Sequence, residues 1–290
     1  MDGTGVVVSP KQPDVTVIVV AHDVRDEVLA CLASLDEHAS PAKAEVVLVD
    51  NASRDGTAEA VAEAFPKAQV VTLAVNVGVA ARNAGLRRAR GRLRMFLDSD
   101  ARLTAGALPE LVGYLDAHPG VGLVGPKLVY EDGTLQLSAR RFPPRLLPLM
   151  RRPPLGRLFE DSAPVRRHLM ADDRHDLTRE VEYVLGACQL FTVEAQEAAG
   201  EIDPRIFFGP DDVDWCLRIR RAGLQVVYHP AATVVHGYRR TSASRPASSI
   251  ALRQLAAFAR FQWTWRGERA RLVQEGHEMD ARAGQVGAPE

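Results

Sequence analysis

The 290-residue chain, 46% hydrophobic and 25% charged, has the composition of a globular protein long enough to bury a sizeable core. Its net charge of −1 gives no global pull toward nucleic acid. Its longest apolar run, Val15 to Ala21, is strand-sized rather than membrane-spanning.

Residues 1–14 contain Gly and Pro and read as a loose leader without the basic-then-apolar order of a signal peptide. Val15 to Ala21 is β-branched and predicts a strand covered on both faces. Val28, Leu29, Leu32 and Leu35 then recur at helical spacing. Glu45 to Asn51 predicts a second buried strand, and a helix follows through Ala58, Val61, Ala62 and Phe65. Gln69 to Val75 and Arg92 to Leu97 predict the third and fourth strands. Gly78 to Arg90 and Thr104 to His118 predict the third and fourth helices, the last stopped by Pro119-Gly120. Four β-α units in succession argue for a parallel sheet with right-handed crossovers.

After this the rhythm changes. Val121 to Tyr130 and Leu135 to Ser138 predict strands around a turn at Glu131 to Thr134. Residues 140–179 hold ten Arg against five Asp or Glu. Val181 to Val193 predicts a strand, Glu194 to Gly200 a short helix, and a helix carries Trp215, Leu217 and Ile219 as far as Gly223. Gln225 to His229 and Thr233 to His236 predict two short strands around Pro230. Ser248 to Glu275 predicts one long helix with a polar tail. Cys31, Cys188 and Cys216 are too scattered for a zinc site or a disulfide framework, which suits a reducing compartment.

Asp98-Ser99-Asp100 closes the fourth strand. Carboxylates at the carboxyl edge of a parallel sheet lie where ligands bind, and two of them suit a divalent cation. The same residues also read as a polar turn in which one Asp caps the helix near Thr104. Asp50 ends the second strand at the same edge, either capping the next turn or accepting hydrogen bonds from a base or ribose. Asn76-x-Gly78 opens the third helix with Arg82 and Asn83 in its first turns, within reach of a phosphate or solvated. Asp211, Asp212 and Asp214 begin the Trp215 helix, where capping and the helix dipole alone would place acids. His236 alone reads as a packed residue at a strand end. No glycine-rich turn follows the first strand, which weighs against dehydrogenase and nucleotide-dependent methyl-transfer chemistry, and no Gly-x-x-x-x-Gly-Lys loop exists, which excludes a P-loop enzyme. The calcium-loop pattern at Asn51 fails, because Ala62 stands where a bidentate Glu is needed.

The ordered set Asp50-Asn51-x-Ser53, Asn76-x-Gly78, Arg82-Asn83, Asp98-Ser99-Asp100, Gly186-Ala187, Asp211-Asp212-x-Asp214-x-x-Leu217-Arg218 and Val235-His236 resembles the family 2 glycosyltransferases, especially their rhamnosyltransferase-like bacterial branch. The resemblance spans roughly Val15 to Arg245. It implies an α/β, GT-A fold, Rossmann-like, with a mostly parallel sheet flanked by helices and a C-terminal helical extension. The expected divisions are a leader (1–14), a GT-A domain (15–245) and a C-terminal helix and tail (246–290). The domain comprises a nucleotide-sugar half (15–120) and an acceptor half (121–245) with a lid-like insertion (140–179). The resemblance also implies inverting transfer from dTDP-rhamnose or a UDP- or GDP-sugar to an acceptor hydroxyl in polysaccharide, glycolipid or cell-envelope synthesis.

Residue by residue, His22, Asp50, Asn76, Arg82, Asp98, Ser99 and Asp100 correspond to the nucleotide-sugar site. Asp98, Asp100 and His236 correspond to ligands of Mg2+ or Mn2+. Gly186, Ala187 and Asp211 correspond to the donor-sugar and acceptor loop, and Asp212 to the catalytic base. His22-Asp23 stands in place of Tyr-Asn, Leu185 in place of Ser and Asp211 in place of Glu. Expected partners are the nucleotide-sugar donor and a glycan or lipid-linked acceptor. Nucleic acid is not expected; homodimerisation and peripheral contact with the inner face of the cytoplasmic membrane are open to an otherwise cytoplasmic protein. For the Ser248 to Glu275 stripe, packing on its own domain or a twin subunit is favoured over a membrane surface. Two other classes stay in view. One is a phosphatase of the haloacid dehalogenase type, which also uses Asp-x-Asp but on its first strand; the other is a non-catalytic sugar-nucleotide-binding protein.

Overall fold

The computed structural model describes residues 13–38, 43–150, 156–159, 161–237 and 249–286. The first half alternates β1 (Val15–Ala21), α1 (Arg25–His38), β2 (Ala44–Asp50), α2 (Thr57–Ala64) and β3 (Gln69–Thr72). A 3-10 turn (Gly78–Ala81), α3 (Arg82–Leu86) and β4 (Leu93–Asp98) complete it. These strands are parallel in the order β3-β2-β1-β4. The order reverses between β1 and β4, and a crevice at such a reversal is where open α/β sheets bind ligands. Register pairs Ala21 with Asp50 and Val20 with Asp98, so both carboxylates emerge at one edge.

The second half begins with β5 (Ala101–Leu103), α4 (Ala107–Ala117), β6 (Val121–Val129), β7 (Leu135–Gln136) and β8 (Ala139–Arg140). Short helices α5 (Leu147–Met150), α6 (Gly156–Phe159) and α7 (Ala163–Leu169) precede β9 (Arg179–Glu180), β10 (Tyr183–Val184) and β11 (Cys188–Thr192). Then come α8 (Val193–Ala199), α9 (Asp211–Arg221), β12 (Gln225–His236), α10 (Ser249–Thr264) and α11 (Arg269–Val286). The main sheet runs β3-β2-β1-β4-β11-β6-β12-β5, with β11 antiparallel to both neighbours and β12 parallel to β6. One face packs Val17, Val19 and Leu97 against α1 and α4. The other packs Ile18, Phe96, Phe191 and Trp215 against the C-terminal helices. Phe96 lies 4.8 Å from Phe191 and 5.5 Å from Trp215 between ring centroids. Cys31, Cys188 and Cys216 are buried free thiols. Among the described residues no helix is long and apolar enough to cross a membrane.

Several expected elements differ from the sequence reading. The third helix is only a 3-10 turn and α3, ending at Leu86, and Val79 N–H at its open N-terminal end donates to Phe207 O (3.0 Å). The fourth helix starts at Ala107 rather than Thr104, whose hydroxyl donates instead to Thr233 O (2.7 Å). The unexpected strand β5 fills the space before it, pairing with the end of β12. This removes Asp100 as a cap for that helix. The strand expected over Val181 to Val193 breaks at Leu185-Gly186-Ala187, and the two runs around Pro230 form one strand with a register shift.

The long helix expected from Ser248 to Glu275 is two helices. The break falls at Trp265, which turns inward, is buried, and donates its indole N–H to Asp214 Oδ1 (2.9 Å). Phe258, Phe261, Trp265 and Leu272 enter the core, so this segment does pack on its own domain. The arginine-rich stretch is also tied down in part. Arg141 is buried and donates from Nε and Nη2 to Asp280 Oδ1 of α11 (2.9 and 2.6 Å). Arg151 and Arg152, expected on a lid, lie outside the described residues.

Trp265→Phe keeps most of the packing but takes the indole donor from Asp214 Oδ1, leaving the carboxylate, among the described residues, its ion pair with Arg218 (3.1 Å). The expected loss of stability is about 1–3 kcal/mol, read from urea unfolding; an unchanged midpoint would show that the indole bond contributes nothing.

Candidate functional site

The carboxyl end of β4 carries the acids that the pattern singled out. Asp98, Asp100 and His236 offer ligand atoms that all lie within 4.8 Å of one another. Antiparallel pairing of β12 with β5 sets His236 opposite Ala101, next to Asp100. His236 Nδ1 donates to Gln136 Oε1 (2.7 Å), which turns Nε2 toward Asp100 Oδ1 (3.3 Å) and Asp98 Oδ2 (3.8 Å). Burial disfavours protonation of His236, but its hydrogen bond to Asp100 and the charges of Asp98 and Asp100 win and raise its pKa above the ordinary histidine value. A site that stabilises a proton between two carboxylates also suits a small cation there. Gln136, held in β7, had no sequence signal: it meets its partner from 100 residues away.

Arg82 crosses the site. Its Nη2 donates to Asp98 Oδ1 (2.8 Å) and Gly186 O (2.9 Å), and its Nη1 to Asp211 Oδ2 (3.1 Å). The guanidinium lies 4.8 Å from the Phe96 ring centroid. Gly186 is small for a reason, since a Cβ there would stand 3.2 Å from Arg82 Nη1 and 3.5 Å from Asp212 Cβ. Ala187 is buried beside it and accepts the Asp98 N–H (2.9 Å). Ser99 is half-buried in the turn between the two aspartates.

The acids of α9 divide into three roles. Asp211 is buried and taken up by Arg82; Asp214 is buried and taken up by Trp265 and Arg218. Among the described residues, Asp212 accepts a hydrogen bond from the adjacent Val213 N–H (2.8 Å). Enclosure by protein atoms and the charge of Asp211 push its carboxyl up to about 7, against the pull of that N–H, Arg82 and Arg140. A carboxyl titrating there is matched to proton transfer at neutral pH.

The remaining candidates border a separate part of the edge. His22, Ser53, Thr72 and Asn76 line an open cleft of about 680 Å³ at the ends of β1, β2 and β3. Asp50 is buried next to it and accepts Ser53 N–H (3.3 Å), so its turn-capping option is realised. Asn51, part of the ordered pattern but given no role by it, latches the edge. Its Nδ2 donates to Asn76 Oδ1 (3.0 Å) and Gly78 O (3.1 Å), while its Oδ1 accepts Val77 N–H (2.9 Å).

A mixed sheet with a cleft beside its topological switch point and clustered acids at the same edge matches the GT-A glycosyltransferase arrangement that the sequence resemblance implies. Residues 16–172, more than half of the chain, match the family described as Glycosyl transferase family 2, and the chain belongs to that family. The N-acetylglucosaminyl-diphospho-decaprenol L-rhamnosyltransferase of Mycobacterium tuberculosis is 25% identical over 252 residues, 78% of this chain and 80% of that protein. Among solved structures, GalNAc-T7 with UDP, GalNAc and Mn2+ aligns with a TM-score of 0.65 at 17% identity. The alignment covers 89% of this chain but only 49% of that one, so this chain spans about half of it. The mannosyltransferase PcManGT of Pyrobaculum calidifontis, in complex with GDP-Man and Mn2+, aligns with a TM-score of 0.56 at 24% identity, covering 96% of this chain and 66% of that one. At these identities the two structures establish the fold. The family and fold class expected from sequence are both observed, and the phosphatase alternative falls away.

Arg82→Lys retains the charge but cannot reach Asp98, Asp211 and Gly186 O together. Expected is a loss of about 1.5–3 kcal/mol in urea unfolding; wild-type stability would show that one point charge suffices.

Proposed function

We propose that this glycosyltransferase moves a sugar, with inversion, from a nucleotide-diphosphate sugar to a hydroxyl of a glycan or lipid-linked acceptor in cell-envelope or polysaccharide synthesis. The observation that carries this reading is the approach of Asp98, Asp211 and Gly186 to one guanidinium, with Asp212, bonded to the adjacent Val213 N–H, beside them. The names of the relatives point the same way: one is a rhamnosyltransferase for a diphospho-decaprenol acceptor, and the structural neighbours were captured with UDP or GDP-Man.

Two carboxylates and an imidazole with converging ligand atoms fit Mg2+ or Mn2+, both hard enough to favour oxygen. Asp98, Asp100 and His236 would hold the ion, which when bound neutralises charge on a leaving diphosphate. Arg82 orients Asp98 and removes Asp211 from acid–base work. Asp212 accepts the proton of the acceptor hydroxyl. Gly186 and Ala187 leave space for a sugar, Ser99 spaces the two aspartates, and His22, Asp50 and Asn76 border the cleft for the nucleobase.

Asp212→Asn is expected to lower turnover by about 10²–10⁴ while donor-induced thermal shift survives. The base works deprotonated, so the wild-type rate should climb as pH rises through about 7 and then level, and the variant should lose that limb. Near-normal transfer by Asp212→Asn would favour a non-catalytic or differently based site. Chelator, and Asp100→Ala, should each abolish the thermal shift produced by UDP-, GDP- or dTDP-sugar with Mn2+. A shift that survives excess chelator would refute the metal site.

A further inference from the structure

The helix α10 is apolar on two sides. Its inner side, Ala257, Phe258, Phe261 and Trp265, is buried in the core. Its outer side carries Leu252, Ala256, Ala259 and Trp263, all exposed, with Leu252 at 61% and Trp263 at 68%. The spacing of four, three and four residues sets them in one line along the helix, about 16 Å from end to end. Arginines border the line. Arg266 lies over the Trp263 ring (3.9 Å) and Arg253 over the Phe207 ring (4.7 Å), and among the described residues neither forms an ion pair. Arg253 thereby joins the start of the line to the loop that leads into Asp211 and Asp212. Phe208 in that loop is itself 43% exposed.

We propose that this outer face of α10, together with Phe208, seats the protein on a bilayer surface that carries anionic headgroups. Indole and leucine side chains flanked by guanidinium groups that no carboxylate among the described residues neutralises are the composition that partitions into the headgroup layer. Arg253 and Arg266 would sit among the phosphates while Trp263 and Leu252 enter the acyl boundary. A second copy of the chain fits this face poorly. A two-fold contact would set the same arginines against one another. Four side chains, two of them alanine, also fall short of the about 800 Å² per partner that a stable interface buries. Through Arg253 and Phe207 one end of the seat adjoins the loop that leads into Asp211 and Asp212, which suits an acceptor whose lipid stays in the membrane. The link to the acceptor rests on the transfer reading above; the surface itself does not.

The test uses the full chain with no donor or acceptor, so it stands if the transfer assignment fails. Co-sedimentation with vesicles of phosphatidylcholine plus phosphatidylglycerol should pellet the protein, with binding weakened by added salt. Leu252→Ser with Trp263→Ser should cut vesicle affinity at least about tenfold. Ala256→Asp, a charge in mid-line, should do the same, both with unchanged melting temperature because these side chains are exposed. Arg253→Glu with Arg266→Glu should remove the preference for anionic vesicles. No binding by the wild type, or undiminished binding by Ala256→Asp, would overturn the proposal. A dimer in light scattering that Ala256→Asp dissociates would also overturn it and assign the face to a second copy.

Discussion

The site depends on a single buried guanidinium. Arg82 bonds to groups 16, 104 and 129 residues away in sequence, and a cation removed from water is tolerable only if its donors are met. Its planar fork fixes where those acceptors stand, so the end of β4, the β10–β11 loop and the start of α9 are held in one geometry. Phe96 supplies the surface beneath and Gly186 the clearance above. Moving any one of these segments would leave a carboxylate or a carbonyl without its partner.

The same arrangement separates two neighbouring acids that the sequence presents as a pair. Asp211 is bonded to Arg82, while Asp212, one residue on, is enclosed beside that negative charge and is pushed up to about 7. Environment, not residue type, sets their tasks. A carboxylate that holds a proton near neutrality can exchange it; one locked in an ion pair orients. On the other side of Arg82, Asp98 is shared between the guanidinium and the His236 side of the cluster, which couples the acidic cluster to the base through one residue.

Much of this was legible in the chain because strands buried on both faces leave an unambiguous trace. Val15 to Ala21, Glu45 to Asp50 and Arg92 to Leu97 each announce a strand, and parallel connection alone puts Asp50 and Asp98 at one edge. The family pattern gathered Arg82, Gly186 and Asp212. What escaped was set by contacts between distant segments. Nothing local marks Gln136 as the residue that aims His236, or Thr104 as a partner of β12 instead of a helix start. Trp265 looks like one more apolar position on a continuing helix, and nothing local marks it as the partner of the buried Asp214. Helical periodicity reports which side faces inward, but not where a tertiary bond will interrupt it.

That interruption also decides what the C-terminal helices are for. Trp265 is bonded to Asp214 of α9, two residues from Asp212, and Arg141 of the second half is bonded to Asp280 of α11. Between them α11 covers Glu182, which is wholly buried and whose carboxyl burial pushes up to about 7, against Phe142 N–H and the charges of Arg141, Arg167 and Arg220. The backbone comes so close at Gly276 that a Cβ would meet Arg167 Nη2 at 2.8 Å and Glu182 Oε2 at 2.9 Å. Peeling this helix away would expose Phe258, Phe261, Trp265 and Leu272 and open a charged cluster that the fold has closed. The pair of helices therefore belongs to the same cooperative core as the helix that carries the acids. Because α10 is fixed to α9 in this way, its outer apolar line holds a set direction relative to Asp212, and a surface that bound the one would present itself to the other in a constant orientation.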